Sequence, residues 1–139
     1  MYPSFPLPHT VETYHTGAGP ADPVFGPNTT NTARTYWNGT HLQFDVNAYP
    51  FSVSGFPSDT NYARWEPVSI VTGHGTGTWA IDTEEGIVVT EEEFGGWLVC
   101  EWFHGVDAPQ LFEWIEGFAG DEGAFPSSCA RVRLVPEFI

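Results

Sequence analysis

From His41 to Ala48 the chain alternates in polarity, with Leu42, Phe44, Val46 and Ala48 on one side of an extended backbone and His41, Gln43, Asp45 and Asn47 on the other. That is the period of a strand with one buried and one wet face. Just ahead of it, Asn38-Gly39 supplies the two positive φ values of a type I′ turn, so residues 35–37 and 40–49 are expected to form a hairpin. A second alternation, Val11, Thr13 and His15 against Glu12 and Tyr14, marks a strand within residues 10–16. The stretch GGWLVCEWFHG behaves differently. Trp97, Val99, Glu101 and Phe103 fall on one face and Leu98, Cys100, Trp102 and His104 on the other, and both faces are largely apolar. A central strand covered on both sides fits this pattern, with Gly95 and Gly96 leaving room for a bulge.

Further strands are expected at residues 65–71, 78–81, 86–90, 96–104, 110–115 and 130–135, separated by glycine loops such as VTGHGTGTW and FAGDEGAFPSS. Residues 1–9, MYPSFPLPH, hold three prolines and read as an extended arm, because each proline removes a ladder donor. The segment GAGPADPVFGPNTTN reads as a long loop in which glycine and proline block both helix and sheet. Short strands and turn residues over the whole length predict an all-β antiparallel β-sandwich or flattened barrel, with residues 10–139 as a single domain. At 139 residues the chain is long enough for one hydrophobic core.

Charge narrows the function. Eighteen Asp and Glu stand against four basic residues, all arginine (Arg34, Arg64, Arg131, Arg133), for a formal charge of -14. Such a field repels polyphosphate and anionic lipid, which argues against nucleic-acid and membrane-surface partners. The absence of lysine fits an acidic protein kept soluble by its net charge, or one adapted to an acidic extracellular medium.

The chain has two cysteines, Cys100 and Cys129, and two N-glycosylation sequons, at Asn28 and Asn38. Two cysteines alone can be buried thiols, and sequons arise by chance. Together they suggest a secreted protein, a processed form if secretion is right, with a Cys100–Cys129 bridge worth about 3.5 kcal/mol in the chain-entropy model. The Asn38 sequon occupies the predicted hairpin tip, with Tyr36 and Trp37 near enough to pack on a sugar.

Candidate chemistry is sparse. Glu101, flanked by Trp97 and Phe103, would gain a raised pKa if enclosed between them and act as a general acid; Asp107 or a member of the run Glu91-Glu92-Glu93 is its candidate partner in a glycan hydrolase. His104 before the turn at Asp107 is a strand-end histidine or a base with its orienting group. His15, His41, His74 and His104 are scattered without HxH or HExxH spacing, so neither a metal nor another cofactor is expected. GHGTG lacks the lysine of a phosphate loop and reads as a turn. Arg131 and Arg133 lie two apart on one strand face and are expected to pair with Glu113, Glu116 or Glu101. With no nucleophile elbow, recognition is the favoured role, and its candidate contacts are Tyr36, Trp37, Trp65, Trp79, Trp102 and Trp114, aromatic rings that stack on sugars or anchor a protein partner.

The blocks YHTGAG, WNGTHLQFDV, DTNYARWEPV, FGGWLVCEWFHG, PQLF and SSCARVRLVPEFI resemble a family of small secreted fungal proteins classed as a domain of unknown function. The resemblance runs from about residue 12 to the C-terminus and implies secretion, a β-rich single domain and pairing of Cys100 with Cys129. It carries no catalytic residue. The functional expectation is a secreted, extracellular or cell-surface protein that recognises a glycan or an extracellular protein. A carboxylate-dependent hydrolase, or a surface protein that self-associates through its arm or an open sheet edge, are the alternatives.

Overall fold

A computed structural model describes residues 9–15, 21–27, 34–45, 51–54, 65–73, 75, 77–101, 109–116 and 126–136. They form twelve strands and no helix: β1 (His9–His15), β2 (Ala21–Pro27), β3 (Arg34–Asn38), β4 (His41–Asp45), β5 (Phe51–Ser54), β6 (Trp65–Pro67), β7 (Ser69–Thr72), β8 (Trp79–Asp82), β9 (Gly86–Val89), β10 (Phe94–Cys100), β11 (Gln110–Ile115) and β12 (Cys129–Val132). Ten of them make one sheet in the order β12-β10-β11-β2-β7-β5-β4-β3, with β1 paired to β2 and β6 to β11. Every pairing is antiparallel, and the sheet does not close into a barrel. Strands β8 and β9 form a separate two-stranded ribbon.

The ribbon supplies the second layer. Trp79 and Val89 from it share a buried cluster with Leu42 and Phe44 of β4, Val68, Ile70 of β7, Trp97 of β10, and Leu111 and Ile115 of β11. On the opposite face of β10 and β11 a smaller cluster joins Leu98, Cys100, Phe112, Trp114 and Cys129, with Trp65 packed against it. The alternation read from GGWLVC is therefore realised: Trp97 and Leu98 enter different cores, and β10 is buried on both sides.

Several expected elements shift. The Pro-rich segment after Gly19 was expected to be excluded from any sheet, yet β2 pairs with β1 over seven residues, from His9↔Pro27 to His15↔Ala21. Alternate amides of a strand point the same way, so Pro23 and Pro27, four apart, lose their donors on one edge only and leave the other edge intact for β1. On its remaining side β2 meets β11 and β7 through single residue pairs, Gln110↔Val24 and Ala21↔Ile70. The strand expected over residues 65–71 breaks at Val68 into β6 and β7, directly after Pro67, and the two halves join different neighbours. Strand β10 starts at Phe94 and stops at Cys100, earlier than expected at both ends; residues 102–108 lie outside the described residues, as do the tail of the 40–49 strand and residues 1–8 of the expected 1–9 arm, whose His9 instead opens β1.

Two glycines are needed where they stand. The register between β10 and β11 slips between Phe94 and Gly96, and Gly96 holds φ +123°. At the same bulge a Cβ on Gly95 would collide with the Trp114 indole. The bulge thus brings the backbone of β10 against a ring that only glycine admits.

Cys100 and Cys129 are directly opposite in the β10–β12 register and form the expected disulfide, with Cα atoms 4.0 Å apart. Glu101 N donates to Ser128 O and Cys129 N to Pro126 O, so the bridge sits at a backbone-bonded corner. Replacing both cysteines by serine is expected to lower the unfolding free energy by about 3–4 kcal/mol, the loop-closure term for the 29-residue separation, with native secondary structure retained. Urea denaturation of the variant and of the reduced wild type tests this, and equal stability of bridged and unbridged chains would contradict it.

Candidate functional site

The β3–β4 hairpin carries the most exposed aromatic ring of the described residues. Its register, Arg34↔Asp45, Tyr36↔Gln43 and Asn38↔His41, puts these six side chains on one face. Thr35↔Phe44 and Trp37↔Leu42 occupy the other, and Trp37, Leu42 and Phe44 enter the core. The turn contains Gly39 at φ +65°, as an Asn-Gly hairpin requires. Tyr36 is 45% exposed, and Arg34, Asn38 and Asp45 are exposed around it. Gln43 departs from expectation: predicted on the wet face, it is only 1% exposed. Its Oε1 accepts a hydrogen bond from Asn38 Nδ2 at 3.2 Å, which fixes the Asn38 amide at the hairpin tip.

This face exposes one aromatic ring, Tyr36, with one amide, Asn38, at the hairpin tip and a cation and a carboxylate, Arg34 and Asp45, at its other end. Its strand is the last in the sheet order, so the face lies at a sheet end. Asn38, Gly39 and Thr40 are all exposed, leaving the sequon accessible. Asn28 lies outside the described residues.

The other aromatic candidates sort by burial. Trp79 and Trp114 are buried, contrary to a role as surface contacts, because each sits on an inward face of a covered strand. Trp79 stacks on Trp97 with centroids 5.2 Å apart and planes 9° from parallel, and Phe94 meets Trp97 edge-on at 4.7 Å. Trp97 Nε1 also donates to Ile87 O at 2.6 Å, joining β10 to the ribbon. Trp65 is half-buried opposite Trp114 in the β6–β11 register. Trp102 and Asp107 fall outside the described residues.

The hydrolase candidate Glu101 is exposed beyond the end of β10, and Phe103, its expected neighbour, lies outside the described residues. The arginines also pair differently. Arg131 is in register with Leu98, on the face opposite Glu113, and its guanidinium lies 5.5 Å over the Trp114 ring. Arg133 reaches Glu85 at 3.8 Å, with both side chains largely exposed, an ion pair of small worth. In the ribbon turn the Asp82 carboxylate accepts from the amides of Glu84 and Glu85 at 2.8 and 2.9 Å, and the Glu85 and Glu84 bonds hold its pKa below the usual value.

One pair of acids was not anticipated. Glu113 of β11 faces Trp97 on one side and Glu66 of β6 on the other. Glu113 is 0% and Glu66 6% exposed, and neither oxygen of Glu113 has a hydrogen-bond partner. Burial, then the charge of Glu66, pushes the Glu113 carboxyl up to about 8. A carboxyl so perturbed is often a catalytic acid. Here its side chain has no exposed surface. The signal was an acid inside the apolar run QLFEWI, but the partner on β6 is 47 positions away and follows from no local pattern.

Among the described residues no group of three or more His, Cys, Asp or Glu is placed to hold a metal ion, and no helix is long and apolar enough to cross a membrane. The model of a domain of unknown function, DUF7907, matches residues 9–138. The chain belongs to this DUF7907 family. No curated protein and no solved structure matches the chain. The match covers every described strand, from β1 to β12, so the hairpin face and the buried acid pair both belong to the DUF7907 domain itself.

The two kinds of aromatic site predict opposite responses to truncation. Trp79→Ala should cost about 3–5 kcal/mol of stability, whereas Tyr36→Ala should stay within about 0.5 kcal/mol of wild type. Urea unfolding of both variants measures this, and a Tyr36→Ala loss as large as that of Trp79→Ala would make the hairpin face part of the core.

Proposed function

We propose that this DUF7907 chain is a secreted, extracellular carbohydrate-recognition domain that binds without altering its ligand, through the outer face of the β3–β4 hairpin. The observation that carries the reading is the open ring of Tyr36, 45% exposed amid Arg34, Asn38 and Asp45, on a hairpin whose other face is anchored in the core. An aromatic ring held by its strand loses little freedom when a sugar's apolar face stacks on it, and the polar neighbours meet the hydroxyls. The disulfide and the accessible Asn38 sequon support an extracellular setting. In the same reading the chain is a glycoprotein: Asn38 Nδ2 gives one hydrogen to Gln43, and the other site on the nitrogen accepts the glycan.

The hydrolase reading has weaker support, since Glu101 is exposed and the strongly perturbed acid, Glu113, is buried. Binding to a panel of fungal and plant polysaccharides tests the proposal. A glycan on Asn38 shares the face with Tyr36, so the panel is run on the wild type and on Thr40→Ala, which lacks the sequon. Tyr36→Ala in either background should weaken binding at least tenfold with unchanged melting temperature. Retained affinity in Tyr36→Ala, or turnover that Glu101→Gln abolishes, would refute it.

A further inference from the structure

We propose that the chain pairs with a second copy of itself, edge to edge along β3, about a two-fold axis at Tyr36. The free edge follows from the hairpin register. Only Gly39 and Thr40 separate Asn38 from His41, so Asn38↔His41 is a pair that exchanges both backbone hydrogen bonds, and by alternation Tyr36↔Gln43 and Arg34↔Asp45 are such pairs too. Thr35 and Trp37 lie between them and turn their N–H and C=O groups away from β4. Strand β3 is the last in the sheet order, and among the described residues nothing bonds to those groups. Arg34, Tyr36 and Asn38 on one face and Thr35 on the other are exposed, which leaves the edge open to solvent.

An open edge of this kind takes another extended strand, and register and charge both favour a second copy. The unpaired groups are arranged symmetrically about Tyr36. An antiparallel copy centred there sets Thr35 opposite Trp37 of the second copy, and Trp37 opposite its Thr35, and each of these pairs exchanges both backbone bonds. Tyr36 then faces its own equivalent, and Arg34 faces Asn38 of the second copy, so no like charges meet. In a chain of net charge -14, β3 has no acidic residue, and Asp45 on the neighbouring strand already faces Arg34. Two copies can therefore meet here without setting acid against acid. The strand also lacks the usual guards of an edge, since it has no proline and its register with β4 runs without a shift.

The other described edges are less suited. At the far end of the sheet β12 has four residues, and the chain past it is bonded to the ribbon through Leu134 O. Strand β6 has three and ends in Pro67. Strand β1, paired with β2 alone, has Glu12 at its centre, so a symmetric copy would oppose two acids. In the ribbon, Trp79 N and Ile87 N already donate to Thr40 O and Leu134 O.

Size sets the strength. The five residues of β3, at about 3.4 Å each, give a contact about 17 Å long, well below a standard interface, so pairing is a weak equilibrium and not an obligate dimer. A two-fold contact uses up the edge on both copies, and assembly stops at the dimer. Because the contact lies in the plane of the sheet and side chains stand roughly perpendicular to it, the outer faces of the two hairpins become one surface carrying both Tyr36 rings. That surface would add valency to the carbohydrate reading, but the pairing does not rest on that reading and is measured without sugar.

The test uses the whole chain, made without N-glycans, at an ionic strength that screens its net charge. Sedimentation equilibrium between about 10 μM and about 1 mM should show the mean mass rising from monomer toward dimer. Thr35→Pro removes an N–H that points away from β4, so it should keep the wild-type circular dichroism while weakening the pairing at least tenfold. Tyr36→Glu, a change at an exposed position that sets like charges face to face across the axis, should weaken it as much. Tyr36→Cys should cross-link into a covalent dimer on mild oxidation, because its thiols stand directly opposite each other, whereas Glu92→Cys, exposed ahead of β10, should not. A mass independent of concentration, pairing undiminished in either folded variant, or equal cross-linking of the two cysteine variants would overturn the proposal.

Discussion

The indole of Trp97 is the part on which the two layers depend. The larger apolar face of the ten-stranded sheet needs a cover, and β8–β9 is only a short ribbon that could not persist alone in water. Trp97 rises from β10, lies flat against Trp79, takes Phe94 on its edge and bonds to the ribbon backbone at Ile87. Stacking contributes about 0.5–1.5 kcal/mol beyond area burial, and the indole hydrogen bond about 1 kcal/mol more. Remove the ring, and Leu42, Phe44, Ile70 and Leu111 lose the lid that makes their burial complete.

The opposite face is secured by different means. There the cluster around Leu98 and Phe112 is closed by the Cys100–Cys129 bridge between adjacent strands, with Arg131 spread over Trp114 at the rim. A guanidinium over an indole near the surface contributes about 0.5–1 kcal/mol. Strands β10 and β11 are thus held between two cores of unequal size. This explains why β11 is buried at all six positions, and why an acid within it has nowhere to be but inside.

How much of this was legible follows the range of each interaction. The Asn-Gly hairpin, the two-faced β10 and the disulfide rest on local alternation, turn chemistry and composition, and all are present. The strand β2 was hidden because two prolines read as exclusion, when their spacing of four confines the lost donors to one edge. Gln43 was assigned to water by period alone, whereas its amide is held under Asn38 and buried. Sorting Trp79 from Tyr36 required knowing that the ribbon folds over the sheet, a long-range fact that no window of residues contains. The pairing of Glu66 with Glu113 is of the same kind: Glu113 stands out as an acid within QLFEWI, but only the β6–β11 register makes Glu66 its partner.

That pair also bears on the composition. A charge of -14 without a single lysine leaves the surface with few counter-ions, so the folded chain repels itself at neutral pH and is relieved of that strain as its carboxylates protonate. Surface repulsion of this sort is screened by salt, over about 8–10 Å at ordinary ionic strength, whereas two buried acids facing each other across β6 and β11 are screened much less. Both effects favour the folded state in mildly acidic surroundings, but only the second does so at a defined place.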